Sequence, residues 1–483
     1  GGGLYIAKPE TSVTISGGTI SGNSADGKGN GIAIANGYLK MKGNASVDSN
    51  NDVYLADGKV ITVTGALTGT SPVATITPEN YTDGTTVLEA ESGVNLANEV
   101  GKFTVTPDGS TKYYIASDGK MYKYKPVAQF TTVPAAGDTA GLETMDDFEK
   151  VAEWVNAGND FTGVTLILLT DVTLDSSFTP VGDYNGSKVF TGGTFDGNNK
   201  TITYNNVSFT QKYSGIFSGA KNATIQNLNL EGTLNVNADY AGCVIGHAEA
   251  CTVKNCSSSV TITVGSSSQY GIGGIVGVAE GSYISAQARE RTCYILDCVN
   301  TGSIITETVS YIGGIVGKAS VCVIRNCINK GNITGAKCCG GIVGLTTMSG
   351  SDNYGSLIEN CGNNGNVSAT SSVSYRSGAG GIAGGPTAIN EDWYPHINNC
   401  YSSGTITCAY MSPGGIFGYD NDKCVLSKCY YSNPSQACSN GSPSGSSKYT
   451  DVSSILSDMN SLNNSDSATY RRWKVSGSVL EFE

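Results

Sequence analysis

Histidine is nearly absent, with two in 483 residues. Zinc sites draw on His with Cys, and general acid–base work most often uses His, so neither chemistry has much to build on. Charge is also scarce: 14% of residues are charged, the formal net charge is −12, and no basic run exceeds the pair Arg471-Arg472. The electrostatic footprint of a nucleic-acid binder is therefore missing, and DNA and RNA are excluded as main partners. No run approaches the roughly 18 apolar residues that would span a bilayer. The N-terminus, Gly1-Gly2-Gly3-Leu4, has neither an initiator Met nor a basic-then-apolar leader, so the chain reads as trimmed from something longer.

Glycine, by contrast, is abundant (64 residues), and hydrophobic residues still reach 39%. That is too apolar for a disordered linker and suits a long, thin core. The glycines are ordered. A small-Gly-aliphatic-aliphatic-Gly unit recurs as Gly274-Ile275-Val276-Gly277, Gly314-Ile315-Val316-Gly317, Gly341-Ile342-Val343-Gly344, Gly381-Ile382-Ala383-Gly384 and Gly415-Ile416-Phe417-Gly418. Degenerate copies sit at Gly215-Ile216-Phe217 and Gly242-Cys243-Val244.

Each is followed by an aliphatic-x-polar-Cys unit, such as Val253-Lys254-Asn255-Cys256, Ile295-Leu296-Asp297-Cys298, Ile324-Arg325-Asn326-Cys327, Ile358-Glu359-Asn360-Cys361 and Ile397-Asn398-Asn399-Cys400, with Leu228 replacing Cys in the first copy. A turn and short strand closes most units, as in Asn329-Lys330-Gly331-Asn332-Ile333. Three short strands per repeat, separated by Gly, Asn and Ser turns, predict a triangular coil. A lone coil cannot bury its apolar positions, whereas coils stacked about 4.8 Å apart pair their backbones and superimpose like on like. Excess length enters at one corner, between the Gly unit and the Cys strand, at 282–291, 346–356 and 387–395. Insertions at a single corner decorate one edge of a stack.

The N-terminal part has a related repeat: Gly1 through Asn23 is echoed by Gly29 through Val47, and Val53-Tyr54-Leu55 with Ile61-Thr62-Val63 starts another turn. Residues 72–125 lose that rhythm and end in a hairpin-like stretch with Asp118-Gly119 at its turn. The expected fold is thus all-β, a right-handed parallel β-helix in two tandem units with short capping helices. The expected domains are 1–125 with a closing β cap, a linker at 126–141, and a second β-helix at 142–483. One helix is predicted at Met145–Ala157, with Thr144 as N-cap and Asp147 completing a partial capping box. The other is predicted at Val452–Leu462, with Asp451 as N-cap. Both are expected to cover the ends of a β-stack.

On these motifs, residues 215–432 resemble the GLUG-motif repeat family of bacterial surface proteins. Residues 1–125 resemble the Gly-rich β-helical repeats of large surface adhesins from gut and oral anaerobes. The resemblance implies a parallel β-helix on the bacterial cell surface or secreted from it. Such repeats also accompany some immunoglobulin-cleaving peptidases, apart from the protease domain, and the resemblance brings no catalytic residues with it.

Fifteen cysteines recur in register, several as Cys-x4-Cys pairs such as Cys293/Cys298 and Cys322/Cys327. Buried free thiols stacked as small hydrophobes fit this pattern best, ahead of disulfides between columns, with metal last because zinc spacings are shorter and His is rare. Neither His247 nor His396 has an acid and nucleophile in a familiar spacing, and both are expected to be structural or exposed. Asp146-Asp147 are explained by the helix dipole. Asn-rich turns such as Asp196-Gly197-Asn198-Asn199 are explained by turn chemistry and Asn ladders without an ion.

No catalytic residue, metal or cofactor is therefore expected. The candidate ligand-binding residues are Tyr354, Trp393 and Tyr394 in the one-corner insertions, with Tyr375 nearby and Tyr401 and Tyr410 in the neighbouring repeats, as an aromatic contact edge. The expectation is a non-catalytic, monomeric, adhesin-like protein that meets host or microbial surface glycan or an extracellular protein. The rival is a β-helix carbohydrate-active enzyme, lyase or hydrolase, which would need clustered carboxylates or a bound cation.

Overall fold

The computed structural model describes residues 2–265, 270–281, 293–347, 355–372, 378–386, 395–419, 425–433, 436–438 and 444–483. The chain forms two compact units, Gly1–Thr132 with Thr139–Glu143, and Val133–Asp138 with Thr144–Glu483.

In the first unit, strands Leu4–Ile6, Ile32–Ile34, Asp52–Leu55, Ala74–Pro78 and Phe103–Val105 form one parallel sheet, and Ser12–Ile20, Tyr38–Val47, Ile61–Leu67 and Leu88–Ala90 form another. Register stacks like on like, with Ile6 beside Ile34 and then Leu55, and Ile32 beside Val53 and then Ile76. These side chains are buried in one core with Leu39, Met41 and Ile61. The parallel ladder runs on to Val105, well past residue 72, where the sequence loses its repeat. The backbone pairing that propagates the coil does not need the Gly-rich spelling of the earlier turns. The hairpin with Asp118-Gly119 forms, pairing Tyr114–Ile115 with Lys120–Tyr122, and Thr85–Thr86 adds a third antiparallel strand. Residues 126–141, expected as linker, include a strand at Thr139–Leu142 that pairs in parallel with Lys125–Pro126.

The second unit stacks three families of short parallel strands. One inward column runs Leu166, Phe195, Ile225, Val253, Ile295, Ile324, Ile358, Ile397 and Leu426, each residue opposite its counterpart one coil on. All of these are buried. The helix Met145–Asn156 has the predicted capping box between Thr144 and Asp147. Its Phe148 packs on Phe178 and Phe195.

The residue before each Cys explains the motif. Asn227, Asn255, Asp297, Asn326, Asn360, Asn399 and Lys428 all have positive φ, from 49° to 56°. Asn and Asp tolerate this left-handed conformation best among residues with a side chain, and it turns the chain at a corner. The same side chains then bond up the stack: Asn255 Nδ2 donates to Asn227 Oδ1 (2.8 Å), Asn326 to Asp297 (3.0 Å), Asn360 to Asn326 (2.8 Å) and Asn399 to Asn360 (2.7 Å).

A second, fully internal ladder links Asn300 to Asn329 (2.8 Å) and Asn329 to Asn363 (2.9 Å). The Gly unit makes room for it, because a Cβ on Gly314 or Gly341 would collide with Asn329 or Asn363.

The Cys of the motif points inward. In-register neighbours place Leu228, Cys256, Cys298, Cys327, Cys361, Cys400 and Cys429 in one column, and Cys251, Cys293 and Cys322 in another. All fourteen cysteines among the described residues are free thiols. Burial pushes the Cys429 and Cys243 thiols up to about 12 and holds Cys361 and Cys400 above the ordinary thiol range. A thiol that stays protonated at neutral pH is a poor nucleophile.

The C-terminal segment departs from expectation. Instead of one helix at Val452–Leu462, a 3-10 turn at Val452–Ile455 leads into two short helices, Leu456–Met459 and Ser461–Ser465, and a hairpin of Trp473–Ser476 and Val479–Phe482. Nor does this segment simply close the stack's end. Asn326 Nδ2 donates to the carbonyl of Thr469, Asn360 to that of Arg471 and Asn399 to that of Met459. Those three asparagines are successive rungs, so the segment lies along the flank. The Trp473 indole donates to Asn360 Oδ1 (2.6 Å), and Trp473, Met459, Leu480 and Phe482 bury Tyr401. The Tyr401 hydroxyl bonds Asn364 and the Leu480 carbonyl, so this ring is core and no part of an exposed aromatic edge.

Two expectations follow. Asn360→Ala removes four hydrogen bonds and places a Cβ-bearing residue without a local partner at positive φ, so chemical denaturation should show a loss of about 2–4 kcal/mol. Asn360→Gly should lose about 1 kcal/mol less, because glycine accepts the left-handed backbone. Iodoacetamide followed by peptide mapping should label the column cysteines slowly in the native protein and fully after denaturation; rapid native labelling of Cys361 would contradict the buried column.

Candidate functional site

The four tyrosines and tryptophans singled out as ligand-binding, Tyr354, Tyr375, Trp393 and Tyr394, lie outside the described residues, as does most of the three insertions. The described residues gather aromatic side chains elsewhere, just before the Gly unit of the earlier coils.

Tyr213, Tyr240 and Tyr311 all have positive φ (61°, 62° and 67°), and Gly271 takes the equivalent place on the intervening coil at 75°. This is the corner that feeds the Gly strand. A Cβ at Gly271 would run into the Tyr240 ring, so the glycine leaves space for the aromatic next door. Tyr184 meets Tyr213 edge-on at 4.7 Å between ring centroids, Tyr213 stacks on Tyr240 at 5.2 Å and 12°, and Tyr270 stacks on Tyr311 at 5.1 Å and 22°. The rings are half-buried, apart from the more exposed Tyr270, and Lys212 lies over both Tyr213 and Tyr240. Burial, reinforced by nearby carboxylates and tyrosines, raises the Tyr184 and Tyr240 hydroxyls to about 12, so both stay protonated donors at neutral pH. The result is a strip of five tyrosines running along the stack.

Beside it sits His247. The sequence offers it no acid and nucleophile in a familiar spacing, yet register brings Glu280, one coil on, to 3.1 Å from its Nε2. The imidazole is packed against Tyr184 (3.9 Å) and Tyr213 (5.3 Å) and is almost fully buried. Its Nδ1 has no hydrogen-bond partner among the described residues. The hydrogen bond from His247 lowers the Glu280 carboxyl below its ordinary range, with Lys318 adding to the effect. Glu249 pairs with Lys221 at 2.6 Å on the same sheet. An anchored imidazole beside aromatic rings can fix a ligand by hydrogen bonding. A hydrolytic triad would also need a nucleophile bonded to that imidazole. Among the described residues no group of three or more His, Cys, Asp and Glu is arranged to hold a metal ion. His396, the second histidine, is exposed on its strand.

The signal for this strip was present in the sequence as Tyr-x-Gly, at Tyr213-Ser214-Gly215, Tyr240-Ala241-Gly242 and Tyr311-Ile312-Gly313. It precedes the Gly motif and is easily passed over as part of it.

Fold and site together define a stack of parallel β-coils that carries an aromatic strip on one flank. No family model matches the sequence, and no curated protein matches it either. Among solved structures the chain is similar to a "putative immunoglobulin A1 protease from Bacteroides ovatus", with 16% identity and a TM-score of 0.45 over 74% of this chain and 97% of that one. A likeness this distant assigns no function.

The His247–Glu280 pair sets a pH dependence. A carboxylate whose folded pKa lies below its unfolded value adds stability above the unfolded value and loses it as pH falls through the folded one. Thermal melts of Glu280→Gln should therefore lie below wild type at pH 7 and converge with it as pH drops below the ordinary carboxylate range near 4.5. Parallel curves across that range would sink the assignment.

Proposed function

We propose that this chain is a non-catalytic, adhesin-like protein of the bacterial cell surface, monomeric, extracellular and built to contact host or microbial glycan or an extracellular protein. On this reading its coils wind right-handed as a β-helix of the GLUG-motif kind, with a β-helix fragment and its closing β cap at 1–125, a linker at 126–141 and a second β-helix at 142–483. The observation that carries the proposal is the half-exposed strip Tyr184, Tyr213, Tyr240, Tyr270 and Tyr311. A ladder serving only the core would be buried like the Ile column. Rings left partly open, with Lys212 above Tyr213 and Tyr240, offer an apolar body and a polar tip to an incoming surface. Within the stacked pairs Tyr213–Tyr240 and Tyr270–Tyr311 the rings lie 5.2 and 5.1 Å apart, close to the strand spacing and comparable with one pyranose, so a saccharide lying along either pair would span both rings.

The rival reading, a carbohydrate-active enzyme of the same architecture, draws on the His247–Glu280 pair. One experiment separates the two: a glycan and extracellular-matrix array with the purified chain, beside reducing-sugar release on the same polysaccharides. Binding without release is expected, with Tyr240→Ala weakening it about tenfold or more. Sugar release that His247→Ala abolishes would establish the enzyme instead. Binding that survives Tyr240→Ala but is lost in Tyr354→Ala or Trp393→Ala would move the contact to the inserted corner.

A further inference from the structure

A cleft of about 700 Å³ opens between the closing turns of the late coils and the C-terminal segment laid over them. It lies among other residues than the tyrosine strip. The coils contribute Asn366, Thr405 and Ser432 from successive turns, and the C-terminal segment contributes Tyr449, Asp451 and Ser478.

The chemistry of these walls is specific. They carry hydroxyls and amides, and Asp451 is the one charged side chain among the lining residues. With no lysine or arginine in the lining, a phosphate, sulfate or uronate would enter unpaired. One carboxylate, already accepting the Ser453 N–H at 2.9 Å, is far short of the six to eight oxygens that calcium takes. Val452 and Val479 give the cleft apolar patches.

A second observation points to a ligand. Tyr449 lines the cleft and is 7% exposed, and its hydroxyl lies within reach of the Ser403 and Ser432 hydroxyls without a well-aligned hydrogen bond to either, both serines donating elsewhere. A buried hydroxyl left unmade costs about 1–3 kcal/mol, unless something that enters the cleft satisfies it. Asn366 uses its Oδ1 to accept the Thr405 N–H at 2.9 Å, which leaves its Nδ2 to donate.

Hydroxyl and amide donors and acceptors, small apolar patches and almost no charge match a neutral sugar, whose hydroxyls both donate and accept and whose C–H faces are apolar. The volume lies in the range of small-molecule sites, about 300–1,000 Å³. We propose that this cleft is a saccharide-binding site for neutral mono- to trisaccharides, independent of the tyrosine strip.

The test is ligand-observed saturation-transfer NMR on the full chain with lactose, cellobiose and N-acetylglucosamine as probes. At least one probe should receive saturation. Tyr240→Ala, which disables the strip, should leave transfer to that probe intact; in that background Tyr449→Phe should weaken it about tenfold, and Ser478→Trp, on an exposed hairpin turn, should abolish it with the thermal melt unchanged. The proposal falls if none of the three probes receives saturation, if transfer is lost in Tyr240→Ala alone, or if transfer to the Tyr240→Ala chain survives the addition of Ser478→Trp. It also falls if calcium raises the melting temperature of the wild type but not of Asp451→Asn, which would make the cleft a cation site.

Discussion

Everything in the second unit depends on register. Each coil hydrogen-bonds to the next through parallel backbone pairing, so whatever one coil carries at a position is laid directly on its counterpart. This constraint turns a linear repeat into columns: apolar on apolar from Leu166 to Leu426, thiol on thiol from Cys256 to Cys429, amide on amide from Asn326 to Asn399. A column is stable only if its members tolerate one another. Aliphatic side chains and buried thiols satisfy this by packing, and asparagines by donating to one neighbour while accepting from the other.

The polar columns also explain why the repeat is spelled as it is. The corner needs a left-handed residue, and Asn supplies that conformation together with a side chain that continues the ladder. The internal ladder of Asn300, Asn329 and Asn363 needs a neighbour with no Cβ, and the Gly unit meets it there. Where the outer asparagines leave donors over, the C-terminal segment takes them with its own carbonyls, so it is bound by the same ladder that holds the coils. Trp473 and Tyr401 then seal that contact with apolar surface.

Function on such a scaffold belongs to the positions that register does not bury. The tyrosine strip occupies one corner over several coils, and the polar cleft forms where the stack meets the segment along its flank. Both are built from side chains that successive coils leave at least partly exposed. The His247–Glu280 pair differs in that a buried imidazole is hydrogen-bonded to a carboxylate from the next coil.

By itself the sequence determined the coil. The spacing of Gly, aliphatic and Cys positions is imposed by a backbone that must turn, pack and stack at each repeat, so strands, corners, the inward thiol column and the capping box of the helix at Met145–Asn156 were all legible. It fell short where the repeat is written in other residues, as between residues 72 and 105, where backbone pairing continues without its usual glycines. The tertiary structure alone decided three things. It brought His247 to Glu280 across one coil. It aligned tyrosines from separate repeats into a strip. It laid the C-terminal segment along the asparagine ladder, burying Tyr401, where local helical periodicity suggested a simple end cap. The physical reason is common to all three: each contact joins residues distant in the chain, and only the register of coil on coil, or the fit of a segment to a finished surface, fixes which of them meet.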